Sequence, residues 1–295
     1  MPTASNWTQV KRLALGLVTL TALAAFLSAP SAQAASNGIH PGVQTYTNGS
    51  QCTANFVFTD GTSTYLGQAA HCSGTGSSTE TNGCTAQSLP LGTPVTILGA
   101  NHPGTMVYNS WLTMQANGET NPDACAYNDI ALIKIDPADV GLVSPNIPHW
   151  GGPVGLNTTG TTSTSLVYSY GNSIIRLGVT ALSPKLGISQ GDDGNGWTHI
   201  VTTVSPGIPG DSGSAFLDAN GRALGDLSTL SVGVPGGVQN NVSDLNHELI
   251  YMHAHGGPNA NLVLGTAAFN GVQAPVDTDH PVDDPVGGLQ NFLGL

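Results

Sequence analysis

Positive charge is scarce in this 295-residue chain, which has six Lys and Arg against 18 Asp and Glu and a net charge of −12 with histidine neutral. Such a surface repels phosphate backbones and anionic headgroups, which argues against nucleic acid or an anionic membrane as a partner. Long apolar runs are also missing, apart from Leu13–Leu27 near the start. That run is nearer fifteen residues than the roughly twenty that cross a bilayer. No Cys-x-x-Cys pair is present, so zinc is a weak reading of the cysteines. The tail aspartates lack a calcium-loop pattern, and His247, His253 and His255 do not share one helix face, so neither metal nor cofactor is expected.

What is there begins with a leader. Lys11-Arg12, the apolar run and the small residues Ser31-Ala32-Gln33-Ala34 are the three parts of a secretory signal peptide, expected to be cleaved after Ala34. Its loss leaves 18 acidic against four basic residues, Lys134, Arg176, Lys185 and Arg222. A secreted, extracellular protein without a membrane anchor follows. In that compartment Cys52, Cys72, Cys84 and Cys125 are expected to form disulfides, with three pairings open.

Abundant Gly, Thr, Ser, Val and Pro suit short strands joined by tight turns. Strands are expected over 52–59 and 63–70 around the turn Asp60-Gly61, then over 94–99, 129–135, 165–170, 174–181 and 197–204. A further pair, 215–217 and 223–228, flanks Asp218-Ala-Asn-Gly221. Ser243 is expected to cap a late helix with Leu245, Leu249 and Met252 at helical spacing. The Pro- and Gly-rich stretch 145–156 reads as a linker between halves, and 273–295 as an acidic, proline-rich tail.

Three short segments carry chemistry: Ala69-Ala70-His71-Cys72, Asp129-Ile130-Ala131-Leu132 and Gly210-Asp211-Ser212-Gly213. Singly, each has an ordinary structural explanation. Together, in the order His, Asp, Ser, they resemble the three boxes of the chymotrypsin-like serine proteases. Ser214 and Ala215 depart from the usual glycine and proline, as in bacterial branches of that family. The likeness spans roughly 43–230 and is strong only at the boxes.

The resemblance implies an all-β fold of two antiparallel six-stranded β-barrels with a late helix, over 35–150 and 151–272. It implies a triad of His71, Asp129 and Ser212 and an oxyanion hole made by the N–H groups of Gly210 and Ser212. It also implies disulfides Cys52–Cys72 and Cys84–Cys125, and a specificity pocket with Pro206 at its base and Ser228 on its wall. A neutral residue at 206, and Leu227 rather than histidine before Ser228, point to small or apolar substrate side chains. Polypeptide substrates and protein inhibitors are the implied partners. Ile39 has no basic cleavage site before it, so activity is expected without zymogen processing. Two rivals stand beside this reading. One is an inactive binding protein on the same scaffold. The other is a GDS-type esterase using Ser212 with the terminal block Asp277-Thr-Asp-His280.

Overall fold

The computed structural model describes residues 38–277, except Ser78, Pro235 and Gly236. The expected signal peptide and most of the expected tail, His280 included, lie outside the described residues. Fourteen strands, three α-helices and four short 3-10 turns make up the rest. Among the described residues no helix is long and apolar enough to cross a membrane.

The first half is an antiparallel sheet of β1 (Gln44–Thr47), β2 (Ser50–Thr53), β3 (Val57–Thr59), β4 (Thr64–Ala69), β5 (Pro94–Ile97), β6 (Gly104–Asn109) and β7 (Ile130–Lys134), with β14 (Asn261–Leu262) added at one edge. Its order is β14-β3-β4-β7-β6-β5-β1-β2, eight strands rather than the six of a closed barrel. The difference has a local cause. β2 and β3 are consecutive in the chain, yet they pair with opposite ends of the sheet, β2 with β1 and β3 with β4. Residues 54–56 make the bend, Ala54 N–H donating to Val43 O and Asn55 N–H to Gly67 O, both at 2.9 Å. The bent chain thus passes from one side of the sheet to the other while the regular ladder is interrupted.

The second half is a closed antiparallel barrel of order β10-β13-β12-β11-β8-β9. Its strands are β8 (Leu166–Tyr170), β9 (Pro184–Asp193), β10 (Thr198–Thr203), β11 (Ala215–Leu217), β12 (Ala223–Val234) and β13 (Gly237–Asp244). A core shared by the halves joins Phe56, Ile130 and Leu132 to Trp150, Tyr168 and Leu217. The stretch expected as a linker is therefore packed: Trp150 is fully buried and its indole N–H donates to Ser169 O at 2.7 Å.

Among the described residues there are three α-helices: α1 (Ser110–Asn117), α2 (Pro122–Tyr127) and α3 (Leu245–Ala254). The late helix α3 buries Leu245, Leu249 and Met252 in the shared core. Its cap is Asp244 rather than Ser243, the aspartate accepting His247 N–H at 2.8 Å. The strand expected over 174–181 is instead a 3-10 turn and loop, in which Ile175, Leu177 and Val179 are exposed. The start of the tail lies on the body, Gln273 donating to His149 O and Asp277 N–H to Ala181 O.

Candidate active site

β4 runs directly into the 3-10 turn Ala70–Ser73, which carries His71 out of the sheet. The neighbouring strand β7 begins one residue after Asp129, and Ala70 N–H donates to Asp129 O at 2.6 Å. Pairing of β4 with β7 therefore sets the two side chains side by side. Asp129 Oδ2 lies 2.6 Å from His71 Nδ1, and Oδ1 accepts the backbone N–H of His71 at 2.8 Å. The Ser228 hydroxyl donates a third bond, to Asp129 Oδ2 at 2.6 Å. With Nδ1–H committed to the carboxylate, Nε2 presents a lone pair. Burial depresses the basicity of His71, but the charge and hydrogen bond of Asp129 outweigh it and raise its pKa above the ordinary 6.5.

Ser212 comes from the opposite half, in the turn before β11. Thr53 N–H donates to Ser212 O at 2.9 Å and Gly213 N–H to Leu227 O at 2.7 Å, so the turn is pinned from both sides. Gly213 has φ +81°, and a Cβ there would lie 2.7 Å from both Ala69 N and Thr53 O. Only glycine brings the serine turn this close to the strand that leads into His71. His71, Trp111, Gly210, Ser212, Ser228 and Leu230 line one cleft of about 580 Å³. Among the described residues no hydrogen bond joins the Ser212 hydroxyl to His71.

Pro209 O accepts the Ser173 hydroxyl at 2.5 Å and Gly210 O accepts Thr53 Oγ1 at 2.8 Å. A trans amide points its N–H opposite its carbonyl, so the Gly210 N–H faces away from Ser173. The φ of +94° at Gly210 belongs to the region that favours glycine.

Asp211 is fully buried beneath this turn. Its carboxylate meets Arg176 through Nη1 at 2.5 Å and Nη2 at 2.8 Å, and Lys185 Nζ at 3.1 Å. Burial alone would raise its pKa, but the two cations hold it below the ordinary carboxylate value. Lys185 is itself fully buried and also donates to Pro206 O at 3.1 Å.

Pro206, expected at the base of a specificity pocket, is not among the residues lining the cleft. The adjoining Gly207 is wedged against β12: a Cβ there would lie 2.9 Å from Leu227 Cδ2, Leu230 Cδ2 and Asn240 Oδ1. Ser228 lines the cleft, but its hydroxyl is committed to Asp129.

The cysteines form Cys52–Cys72 and Cys84–Cys125. Cys52, His71 and Cys72 offer atoms close enough to hold a metal. Disulfide sulfurs are not thiolates, so they are poor ligands. Residues that sequence reasoning missed are Trp111, Arg176, Lys185, Asp226 and Glu248.

No family model and no curated protein matches this chain. Solved structures do. Thermobifida fusca protease A superimposes with a TM-score of 0.50 at 20% identity, over 77% of this chain and all of that one. The fold is chymotrypsin-like. Cellulomonas bogoriensis chymotrypsin aligns at 18% identity over 77% of this chain and 98% of its own, with a TM-score of 0.47. A glutamic acid specific serine protease aligns at 17% identity over 76% of this chain and all of its own, with a TM-score of 0.45. The structural neighbours are bacterial serine proteases, similar to this chain in fold at low identity.

Proposed function

We propose that the chain is a secreted serine endopeptidase in which His71, Asp129 and Ser212 form the catalytic triad. The observation that carries this reading is the 2.6 Å contact of His71 Nδ1 with Asp129 Oδ2, with Ser212 in the same cleft. Ser212 Oγ attacks the scissile carbonyl while His71 Nε2 takes its proton, and Asp129 stabilises the imidazolium. The tetrahedral oxyanion is held by the N–H groups of Gly210 and Ser212. Such a donor is worth about 3 kcal/mol in the transition state. His71 then protonates the leaving amine, and water releases the acyl group by the same path in reverse.

The ion cluster at Asp211 supports activity without cleavage of the amino terminus. Arg176 and Lys185 already neutralise that carboxylate, while Ile39 is buried elsewhere, its N–H donating to Leu142 O at 2.9 Å. The wedge of Leu227 and Leu230 on Gly207 supports a shallow subsite for small residues before the scissile bond. Two disulfides fit an oxidising, extracellular compartment. The esterase reading loses its support, because that reading needs an α/β domain and this fold is mostly β.

Cleavage of a peptide library tests the proposal. Wild-type protein is expected to cut after small side chains, and Ser212→Ala to cut nothing. A wild type that binds peptides and leaves them whole supports the binding-protein reading instead.

A further inference from the structure

Next to Asp129 the site contains two more carboxyl groups. Asp226 lies on β12 and Glu248 on α3, and both are fully buried. Glu248 Oε1 accepts the backbone N–H of Asp129 at 3.0 Å. The remaining three oxygens, both of Asp226 and Oε2 of Glu248, meet no hydrogen-bond donor among the described residues. Asp226 and Glu248 lie close enough to hydrogen-bond to each other once one of them carries a proton. A bond between two carboxyls requires a proton, because two carboxylates are acceptors only. Buried oxygens without donors would otherwise carry a heavy desolvation cost.

We propose that Asp226 and Glu248 form a proton-sharing carboxyl pair that positions the backbone of Asp129 and keeps excess negative charge away from the His71–Asp129 couple. This rests on the triad reading above. Glu248 acts through Asp129, so it is a positioning residue. Placement supports the role: Asp226 stands two residues before Ser228, which bonds the Asp129 side chain, while Glu248 bonds its main chain. Strand β12 and helix α3, both from the second half, thereby grip one aspartate of the first.

Ionisable groups facing the pair are Asp129 and, from β6, Tyr108, with His71 beyond Asp129. All but His71 are acids. Burial first, and then the charge of Asp129 on Asp226 and of Asp226 on Glu248, push both groups well above the ordinary carboxylate range. Loss of the shared proton to solvent at high pH would add a negative charge beside Asp129. The carboxylates would then part, and Asp129 would lose its backbone anchor.

The test compares wild type with Glu248→Gln and Glu248→Ala in steady-state kinetics across pH, with the His71 Nδ1–H proton followed by NMR. Glutamine keeps an acceptor for Asp129 N–H and gives Asp226 an amide donor that cannot ionise. Wild type is expected to show an alkaline loss of kcat and an alkaline inflection in the NMR signal. Glu248→Gln is expected to abolish both while holding neutral kcat within about threefold, whereas Glu248→Ala lowers kcat about tenfold with KM nearly unchanged. An alkaline inflection that persists in Glu248→Gln, or is missing from wild type, overturns the proposal. So does a Glu248→Gln protein as impaired at neutral pH as Glu248→Ala. The NMR readout needs no turnover. A folded wild type that never turns over therefore counts against the triad reading, while the inflection still decides the pair.

Discussion

Replacing Arg176 with glutamine should loosen the turn that carries Ser212. Asp211, inside that turn, is fully buried and receives two bonds from Arg176, one from Lys185, and N–H groups from Ser173 and Ile208, each at 3.1 Å. Removing one partner of a buried ion pair typically costs about 3–5 kcal/mol because a charge is left unpaired. Here Lys185 remains at 3.1 Å and still neutralises the carboxylate, so the expected loss is smaller, about 2–3 kcal/mol. The functional effect should exceed what stability alone suggests. Gly210 immediately precedes Asp211, and losing one oxyanion donor costs about 100-fold in kcat. Urea unfolding and steady-state kinetics of Arg176→Gln read the two effects. The pH dependence has a definite sign. The folded pKa of Asp211 lies below the ordinary 3.8, so its stabilisation is present above that value and is lost as pH falls through the folded one. Without Arg176 the folded value rises, and acid unfolding should begin at higher pH. Lys185→Met keeps the bidentate pair and should be the milder change. An Arg176→Gln protein with wild-type stability and kcat, or a Lys185→Met protein more impaired than it, would refute this reasoning.

Other consequences can be checked separately. The raised pKa of His71 should place the acid limb of kcat/KM above 6.5, and a limb at or below that value contradicts it. Ser228→Ala removes a donor from the Asp129 carboxylate, which should shift that limb further upward and lower kcat about tenfold. His199 is buried between Asp192 at 2.6 Å and Asp244 at 3.0 Å; burial opposes its charge, but the carboxylates prevail and its pKa is raised. Its stabilisation is therefore complete below the ordinary 6.5 and is lost as pH rises through the raised value. His199→Gln should flatten Tm over that window, and an unchanged slope counts against the assignment. Cys84 and Cys125 are 41 residues apart, so replacing both with serine should cost about 4 kcal/mol on chain-entropy grounds, read as a fall in the urea midpoint.

The parts legible in the sequence were those whose meaning is local. His71, Asp129 and Ser212 each sit in a short box, and the hairpin at Asp60 announces itself because one carboxylate ties Thr62 and Ser63 N–H. Both helices between β6 and β7 escaped notice. The first is only eight residues long, although Asn109 before it and Gly118 after it are ordinary caps. The loop at 174–181 misled for the opposite reason. Its alternating Ile175, Leu177 and Val179 look like a strand, but Ser173 caps a 3-10 turn and Leu177 turns left-handed at φ +50°. Arg176, Lys185, Asp226 and Glu248 act through partners far away in the chain, which local patterns do not encode. A signal existed for the first two. In a chain with four cations after residue 34, a buried acid before Ser212 has few candidate partners.

The central claim is that Ser212 is an activated nucleophile, and reaction of the folded protein with a fluorophosphonate, located by mass spectrometry, tests it most directly. The account predicts one phosphonylated residue, Ser212, with labelling lost in Ser212→Ala and in His71→Ala. Folded wild-type protein that stays unlabelled, or labelling that survives His71→Ala at the same rate, would contradict it.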